Sequence, residues 1–220
     1  MISILYEDSD LLIVEKPAEI STQPLARHPP SDSLAELIVV HYPELKMVGG
    51  SDWCAVHRLD RETSGLVVFA RNEETYQKLR EDFSKNKIKK EYRALVEGKI
   101  EKSGKISWPI GSDPKSSKKV KIYKNRREAI RHKAQEAITT YEPLNSGTPT
   151  LLRIFIKTGR RHQIRVHLAA IGHPILGDKV YGGLSADRLY LHASDLSLQH
   201  PRTGKTLDLH SAADDFYQSC

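Results

Sequence analysis

The sequence predicts an α+β fold built on a mixed, mostly antiparallel sheet with a few helices. Strand-like and helix-like segments follow one another irregularly, without the regular βαβ alternation of parallel-sheet proteins. The chain has 220 residues, which suits a single domain, 1–220, with one core. Hydrophobic residues make up 39% of the chain and charged residues 28%, which is typical of globular rather than disordered proteins.

Local patterns predict each element. Short apolar runs bounded by turn residues predict strands, and apolar residues at helical spacing behind a capping residue predict helices. Ser31, Asp32 or Ser33 can cap the first helix, and Asn72 caps the second. In chain order we predict strands at 2–6 and 11–15, a helix from 33, a strand at 67–70, a helix over 73–83, strands at 92–96 and 151–156, a helix over 164–171, and strands at 189–191 and 206–209.

The balance of charge favours a polyanionic partner. Lys and Arg number 34 against 28 Asp and Glu, for a net charge of +6. Binding to phosphates releases counterions, so a basic protein gains affinity for nucleic acid at little cost. The densest segment, 115–133, carries nine Lys and Arg residues and resembles an exposed loop with an irregular strand. We predict that this segment, with Lys118, Lys119 and Lys121, contacts a nucleic-acid backbone.

Cysteine usage and the N-terminal residues bear on the compartment of the protein and on whether it spans a membrane. Cys54 and Cys220 are the two cysteines, and their spacing predicts neither a zinc site nor a disulfide framework. The N-terminal residues are acidic where a signal peptide needs a basic region, and no apolar run approaches 18 residues. We therefore expect a cytoplasmic protein without a membrane span.

Three polar clusters stand among apolar residues: HRLDRETSG at 57–65, KEYRALV at 90–96 and TGRRHQIRVH at 158–167. Asp60 lies on a turn between apolar strands with two arginines beside it, Arg58 and Arg61, and a guanidinium close to it would keep its carboxylate ionised. Turns are also where Asp ordinarily sits, and Tyr92 alone could be a half-buried strand aromatic. Arg165 lies in an apolar helix, so it needs an acidic partner from elsewhere in the fold.

Together these clusters closely resemble the RluA family of RNA pseudouridine synthases. The family signature HRLDxxTSG matches residues 57–65 at every specified position. The family's KxYxA element matches at Lys90, Tyr92 and Ala94, and its RxHQIRVH element matches residues 160–167. GHPILGD at 172–178 and the segments around 4–8, 14–17, 189–193 and 200–204 are also similar to the family, so the resemblance covers nearly the whole chain.

The resemblance implies the pseudouridine synthase fold with its bent sheet, and a role for each matched residue. Asp60 would be the nucleophile that attacks either the ribose anomeric carbon or the base ring. Tyr92 would stack on the target base and help to move a proton, and Arg165 would pair with Asp60 in a largely water-excluded cleft. Arg58 would hold the target nucleotide out of its stack, and Leu191 would form an apolar wall. The reaction implied requires neither a metal nor an organic cofactor.

The resemblance also implies the partner. Relatives often carry an RNA-binding module ahead of the catalytic domain, and here the chain starts on catalytic strands, so we expect that module to be absent. The RNA would be tRNA or large-subunit rRNA, and a monomer is expected. Two alternatives remain: a non-catalytic RNA-binding or RNA-folding protein on the same scaffold, and a nucleoside glycosidase, which would need a second carboxylate such as Glu62. Ten histidines suggest a metal site, but we expect His162 and His167 to bond structurally or to RNA.

Overall fold

The computed structural model describes residues 2–24 and 33–212, and it confirms the α+β class. The helices are α1 (Leu34–His41), α2 (Glu73–Ser84), α3 (Arg126–Arg131) and α4 (Gln163–Ala170), with two short 3₁₀ segments, Pro43–Met47 and Gly50–Asp52. The strands are β1 (Ser3–Glu7), β2 (Leu11–Lys16), β3 (Ser64–Ala70), β4 (Lys89–Val96), β5 (Gly104–Ile106), β6 (Ile110–Asp113), β7 (Ser116–Ile122), β8 (Thr139–Pro143), β9 (Thr150–Ile156), β10 (Leu191–Gln199) and β11 (Thr206–His210). Within the described ranges, no helix combines the length and apolar content needed to cross a bilayer.

The chain divides into two compact units, the first of which comprises Met1–Lys89 and Ala193–Ala212. Its strand order is β1-β2-β3-β10, with β11 on β10, and β2 pairs antiparallel with both β1 and β3. β3 is buried along its whole length, which the apolar run predicted. Asn72 caps α2 as predicted, by accepting from the Thr75 N–H.

Helix α1 in the first unit begins with a complete capping box. The Ser33 hydroxyl accepts from the Glu36 N–H, and the Glu36 carboxylate accepts from the Ser33 N–H. This arrangement selects Ser33 among the three predicted caps. The other two candidates, Ser31 and Asp32, and part of the Pro-rich loop lie outside the described residues.

The second unit contains residues 90–192. Its strand order is β4-β9-β8-β5, and each of these neighbours pairs antiparallel. The predicted strands at 92–96 and 151–156 and the predicted helix at 164–171 are confirmed as β4, β9 and α4. The prediction at 189–191 was misplaced, because the strand begins at Leu191 and continues to Gln199. Ser194, Asp195 and Ser197 interrupt the apolar run there, so the predicted strand ended too early.

The basic segment 115–133 contains more regular structure than the exposed loop with an irregular strand that we predicted: the strand is present, and a helix stands where the loop was expected. Most of the segment forms two elements, strand β7 and helix α3, and β7 pairs antiparallel with β6. Along β7, Val120 and Ile122 alternate with lysines, and they pack against a core cluster of Ile110, Ala137 and Val166. The period-2 pattern of a strand is present, but the lysines before and between the two apolar residues concealed it.

Candidate active site

Asp60 lies on a loop of the first unit whose neighbouring residues are fastened to the segment after β2. The Leu59 N–H donates to Thr22 Oγ1 (3.0 Å), and Thr22 Oγ1 donates back to the Leu59 carbonyl (3.2 Å). On the other side of Asp60, Arg61 Nε donates to the Glu19 carbonyl at 3.0 Å. Side-chain to backbone bonds therefore hold the chain immediately before and after the Asp60 carboxylate.

Lys16, at the end of β2, adds a buried support to the same loop. Its side chain is inaccessible to solvent, and its Nζ donates to the carbonyls of Pro17 (2.9 Å), Ile20 (2.8 Å) and Arg61 (3.0 Å). The ammonium thus connects the turn after β2 with the residue that follows Asp60. From the sequence, Lys16-Pro17 indicated only the end of a strand. The role of Lys16 in holding this loop was not predicted.

Within HRLDRETSG, several residues have structural roles. The Val68 N–H donates to His57 Nε2 at 3.1 Å, and the His57 ring stacks on Phe83 with centroids 4.5 Å apart. Gly65 has φ +114°, and a Cβ there would lie 2.3 Å from the Ala193 carbonyl oxygen, so only glycine fits. By contrast, the Arg58 side chain is exposed and that of Asp60 is partly exposed. The loop is therefore rigidly held while these two side chains remain accessible.

Tyr92 and Leu191 belong to the second unit. Tyr92 lies on β4, opposite Ile154 of β9, and only 8% of its surface is exposed. Leu191, at the start of β10, is 3% exposed, and the preceding Tyr190 carbonyl accepts from the Leu95 N–H of β4 at 3.1 Å. Tyr92 is thus more deeply buried than the half-buried strand aromatic considered from the sequence.

Arg165 on α4 is almost completely buried, and an acidic residue pairs with it. Its Nε donates to Asp178 Oδ2 and its Nη2 donates to Asp178 Oδ1, each at 2.9 Å. The buried charge of Arg165 requires an acidic partner, and Asp178, in the segment 172–178 that resembles the family, had no predicted role. The ion pair between Arg165 and Asp60 stays a prediction.

The histidines of the segment 158–167 make structural bonds, as expected. His167 is fully buried; its Nδ1 bonds with Thr139 Oγ1 at 2.9 Å and its Nε2 bonds with the Trp108 carbonyl at 3.0 Å. Burial lowers the pKa of His167, although the bond to Trp108 acts in the opposite direction. His162 Nδ1 bonds with the Tyr181 hydroxyl at 3.0 Å.

The cationic surface of the second unit also carries aromatic rings. Lys118, Lys119 and Lys121 are exposed on β7, and the other six cations of segment 115–133 are exposed as well. Lys121 Nζ lies 5.5 Å from the ring centroid of Tyr123, and Lys124 Nζ lies 4.0 Å from that of Trp108. The lysines were predicted to contact RNA but the two rings were not, since Trp108 lies outside the basic segment.

A group of acidic residues and a histidine in the first unit was not predicted. Metal-type ligand atoms of Asp8, Asp10 and His200 lie within 4.8 Å of one another. His200 Nε2 bonds with Asp8 Oδ2 at 2.7 Å, and Arg202 Nε donates to Asp10 Oδ2 at 2.7 Å. These bonds connect the turn between β1 and β2 with the turn after β10, which is a sufficient structural role.

Comparison with known proteins gives a consistent set of relatives. The family model for RNA pseudouridylate synthase matches residues 10–170. An uncharacterised RNA pseudouridine synthase of Bacillus subtilis is 38% identical over 216 residues, 94% of this chain and 67% of that protein. The ribosomal large subunit pseudouridine synthase D of Nitrosomonas europaea is 38% identical over 218 residues, 94% of this chain and 60% of that protein.

Solved structures share the fold. Human RNA pseudouridylate synthase domain containing 1 superimposes with a TM-score of 0.77 at 24% identity, over 96% of this chain and 83% of that one. At this identity the likeness bears on the fold alone. The chain spans about 60 to 67% of the length of the two bacterial relatives.

Proposed function

Because the chain belongs to the RNA pseudouridylate synthase family, we propose that it converts uridine in RNA to pseudouridine, with Asp60 as the attacking carboxylate. The family match and the complete HRLDxxTSG signature support the reaction class. The observation that carries the assignment of Asp60 is the loop itself. Leu59 and Arg61 are both bonded to the segment after β2, and the carboxylate between them remains partly exposed. A nucleophile needs this combination of a fixed position and access to its substrate.

In the proposed reaction, the Asp60 carboxylate attacks the ribose anomeric carbon or the uracil ring, and the bond from N1 to that carbon breaks. The uracil turns and C5 bonds to the anomeric carbon. The bond from Asp60 to the anomeric carbon or to the ring breaks, which returns the free carboxylate, while C5 loses its proton and N1 gains one. Atoms and electrons balance without an oxidant or a reductant. This isomerisation needs positioning and proton transfer, which side chains can supply.

We assign supporting roles to four further residues. Arg165 pairs with Asp60 and keeps it ionised, since an adjacent guanidinium favours the charged form of a carboxyl. Tyr92 stacks on the target base, and Leu191 forms an apolar wall against it. Arg58, whose side chain is exposed, holds the target nucleotide out of its stack.

The first test is the rate of pseudouridine formation. Asp60→Asn is nearly isosteric but a poor nucleophile, so turnover should be lost while RNA affinity stays within a few-fold, because phosphate contacts position the RNA. Release of tritium from RNA labelled at uridine C5 measures the reaction directly. Glu62→Gln is the matched control: it removes the neighbouring acid, and it should retain the wild-type rate. Turnover near wild type in Asp60→Asn would remove Asp60 from its role, and loss in Glu62→Gln would mean that a second carboxylate takes part in the reaction.

The RNA itself is a separate question. We propose tRNA or large-subunit rRNA as the substrate class, in line with the printed name of the Nitrosomonas relative. Pseudouridine maps of tRNA and rRNA from cells with and without this gene will identify the modified position. Sites that disappear with the gene and return with the wild-type gene, but not with Asp60→Asn, are its targets. Unchanged maps beside intact RNA binding would favour a non-catalytic RNA-binding protein.

We also propose that the exposed lysines of β7 contribute RNA affinity but none of the chemistry. Each phosphate contact releases counterions, so replacing Lys118, Lys119 and Lys121 with Ala should shallow the slope of log affinity against log salt by about one for each lost contact. The rate at saturating RNA should change little. The control is a triple replacement of Lys85, Lys87 and Lys99, each about half exposed, which removes equal charge elsewhere. An unchanged slope with a collapsed saturating rate would contradict the proposal.

A further inference from the structure

A buried ion pair fixes one edge of the Arg165 guanidinium. Nε and Nη2 both donate to the Asp178 carboxylate at 2.9 Å, and the two side chains are 1% and 0% exposed. Such a bidentate geometry sets both the position and the plane of the guanidinium. Covalent geometry then directs Nη1 away from Asp178.

The Asp178 carboxylate is itself held by the turn in which it lies. Its Oδ1 accepts the N–H groups of Val180 (3.0 Å) and Tyr181 (3.1 Å), and its own N–H donates to the Ile175 carbonyl. Preceding it, Gly177 has φ +77°, and a Cβ there would lie 1.7 Å from the Arg188 carbonyl oxygen. The turn therefore has little freedom to move the carboxylate.

Tyr181 gives the guanidinium a second support. The Arg165 Cζ lies 5.7 Å from the Tyr181 ring centroid. The Tyr181 hydroxyl bonds with His162 Nδ1 at 3.0 Å and accepts from the Val120 N–H at 3.0 Å. The ring is thus fixed at its hydroxyl end, and the guanidinium lies between a fixed carboxylate and a fixed ring.

Stability alone does not explain this arrangement. A buried ion pair gains little net free energy, because its attraction is largely offset by the loss of hydration. What the pair does supply is orientation: a long, flexible side chain is held in one geometry before any substrate arrives.

We propose that Asp178 is a positioning residue for the reaction, acting through Arg165. The inference rests on the proposed function, in which Arg165 acts on the Asp60 carboxylate. Asp178 aims the guanidinium and does not contact the substrate. Displacing Arg165 by about an ångström should therefore slow the chemical step without weakening RNA binding.

The experiment compares Asp178→Glu, which keeps the charge but lengthens the side chain, with Asp178→Asn, which removes the charge. Single-turnover rates at saturating RNA should fall about 100-fold in both, with RNA affinity within about 3-fold of wild type. Asp187→Asn, at an exposed aspartate in the same unit, is the control and should behave as wild type. Removing one partner of a buried pair destabilises the fold, so rates are measured well below each variant's unfolding midpoint.

A double-mutant cycle separates positioning from a general structural effect. In an Arg165→Met background, Asp178→Asn should change the saturating rate by less than about 3-fold, because the group through which it acts is gone. Full additivity would overturn the proposal, as would a wild-type saturating rate in folded Asp178→Glu. If Asp178→Asn does not fold, Asp178→Glu decides the outcome, since it keeps the buried charge paired.

A second readout does not depend on turnover. Hydrogen exchange of the Arg165 Nε–H, followed by NMR, should be slow in the wild type and at least 10-fold faster in Asp178→Glu. If the wild type forms no pseudouridine, the proposed function fails, and this measurement still decides whether Asp178 fixes Arg165. Equal exchange in both proteins would overturn the positioning role.

Discussion

Replacing Lys16 with Met tests the buried support of the loop that carries Asp60. Met keeps most of the aliphatic side chain but removes the ammonium, so the carbonyls of Pro17, Ile20 and Arg61 lose a donor that the structure provides at 2.8 to 3.0 Å. At about 1 kcal/mol net for each hydrogen bond, the loss is about 3 kcal/mol. This loss is smaller than the gross energy of three hydrogen bonds from a charged donor, because the variant no longer has to bury an ammonium group.

Thermal and urea unfolding provide the assay. For a chain of this size, about 3 kcal/mol corresponds to a decrease of about 6 to 12 °C in the unfolding midpoint. Lys105→Met is the control, because Lys105 is an exposed strand lysine and its replacement should leave the midpoint within about 2 °C. A Lys16→Met protein that melts within 2 °C of the wild type would refute the reasoning, since it would mean that the three carbonyl bonds contribute nothing net.

Two further predictions concern the first unit. Gly65→Ala should lower the free energy of unfolding in urea by about 4 kcal/mol or more, because its Cβ would collide with the backbone of β10. Gly172→Ala is the control: Gly172 also has a positive φ but faces open space, so the same assay should show a loss of only about 1 kcal/mol. Burial alone would raise the pKa of the Asp8 carboxyl. Hydrogen bonds from Tyr6, from two backbone N–H groups and from His200 lower it by more, so this pKa lies below its usual range. A depressed pKa stabilises the fold above about pH 4 and loses that effect as the pH falls. The difference in unfolding free energy between wild type and Asp8→Asn should therefore shrink below pH 4, and a constant difference from pH 7 to 3 would contradict it.

The sequence alone was sufficient for the fold class, for most elements and for the family resemblance. These features depend on local information: period-2 and period-3.6 patterns, caps such as Ser33 and Asn72, and a contiguous nine-residue signature. The same locality explains two of the errors. Lysines beside Val120 and Ile122 in β7, and polar residues within β10, interrupted patterns that the tertiary core completes.

Only the tertiary structure decided how the proposed active-site residues are supported. Lys16 bonds with a carbonyl 45 residues away, Thr22 bonds with Leu59 over 37 residues, and Arg165 pairs with an aspartate 13 residues further along the chain. No periodicity connects such positions, because the partners come from different elements and meet only when the chain packs. A charged residue within an apolar segment of the sequence indicates that it needs a partner. The identity of that partner depends on which side chain the fold brings within hydrogen-bonding distance.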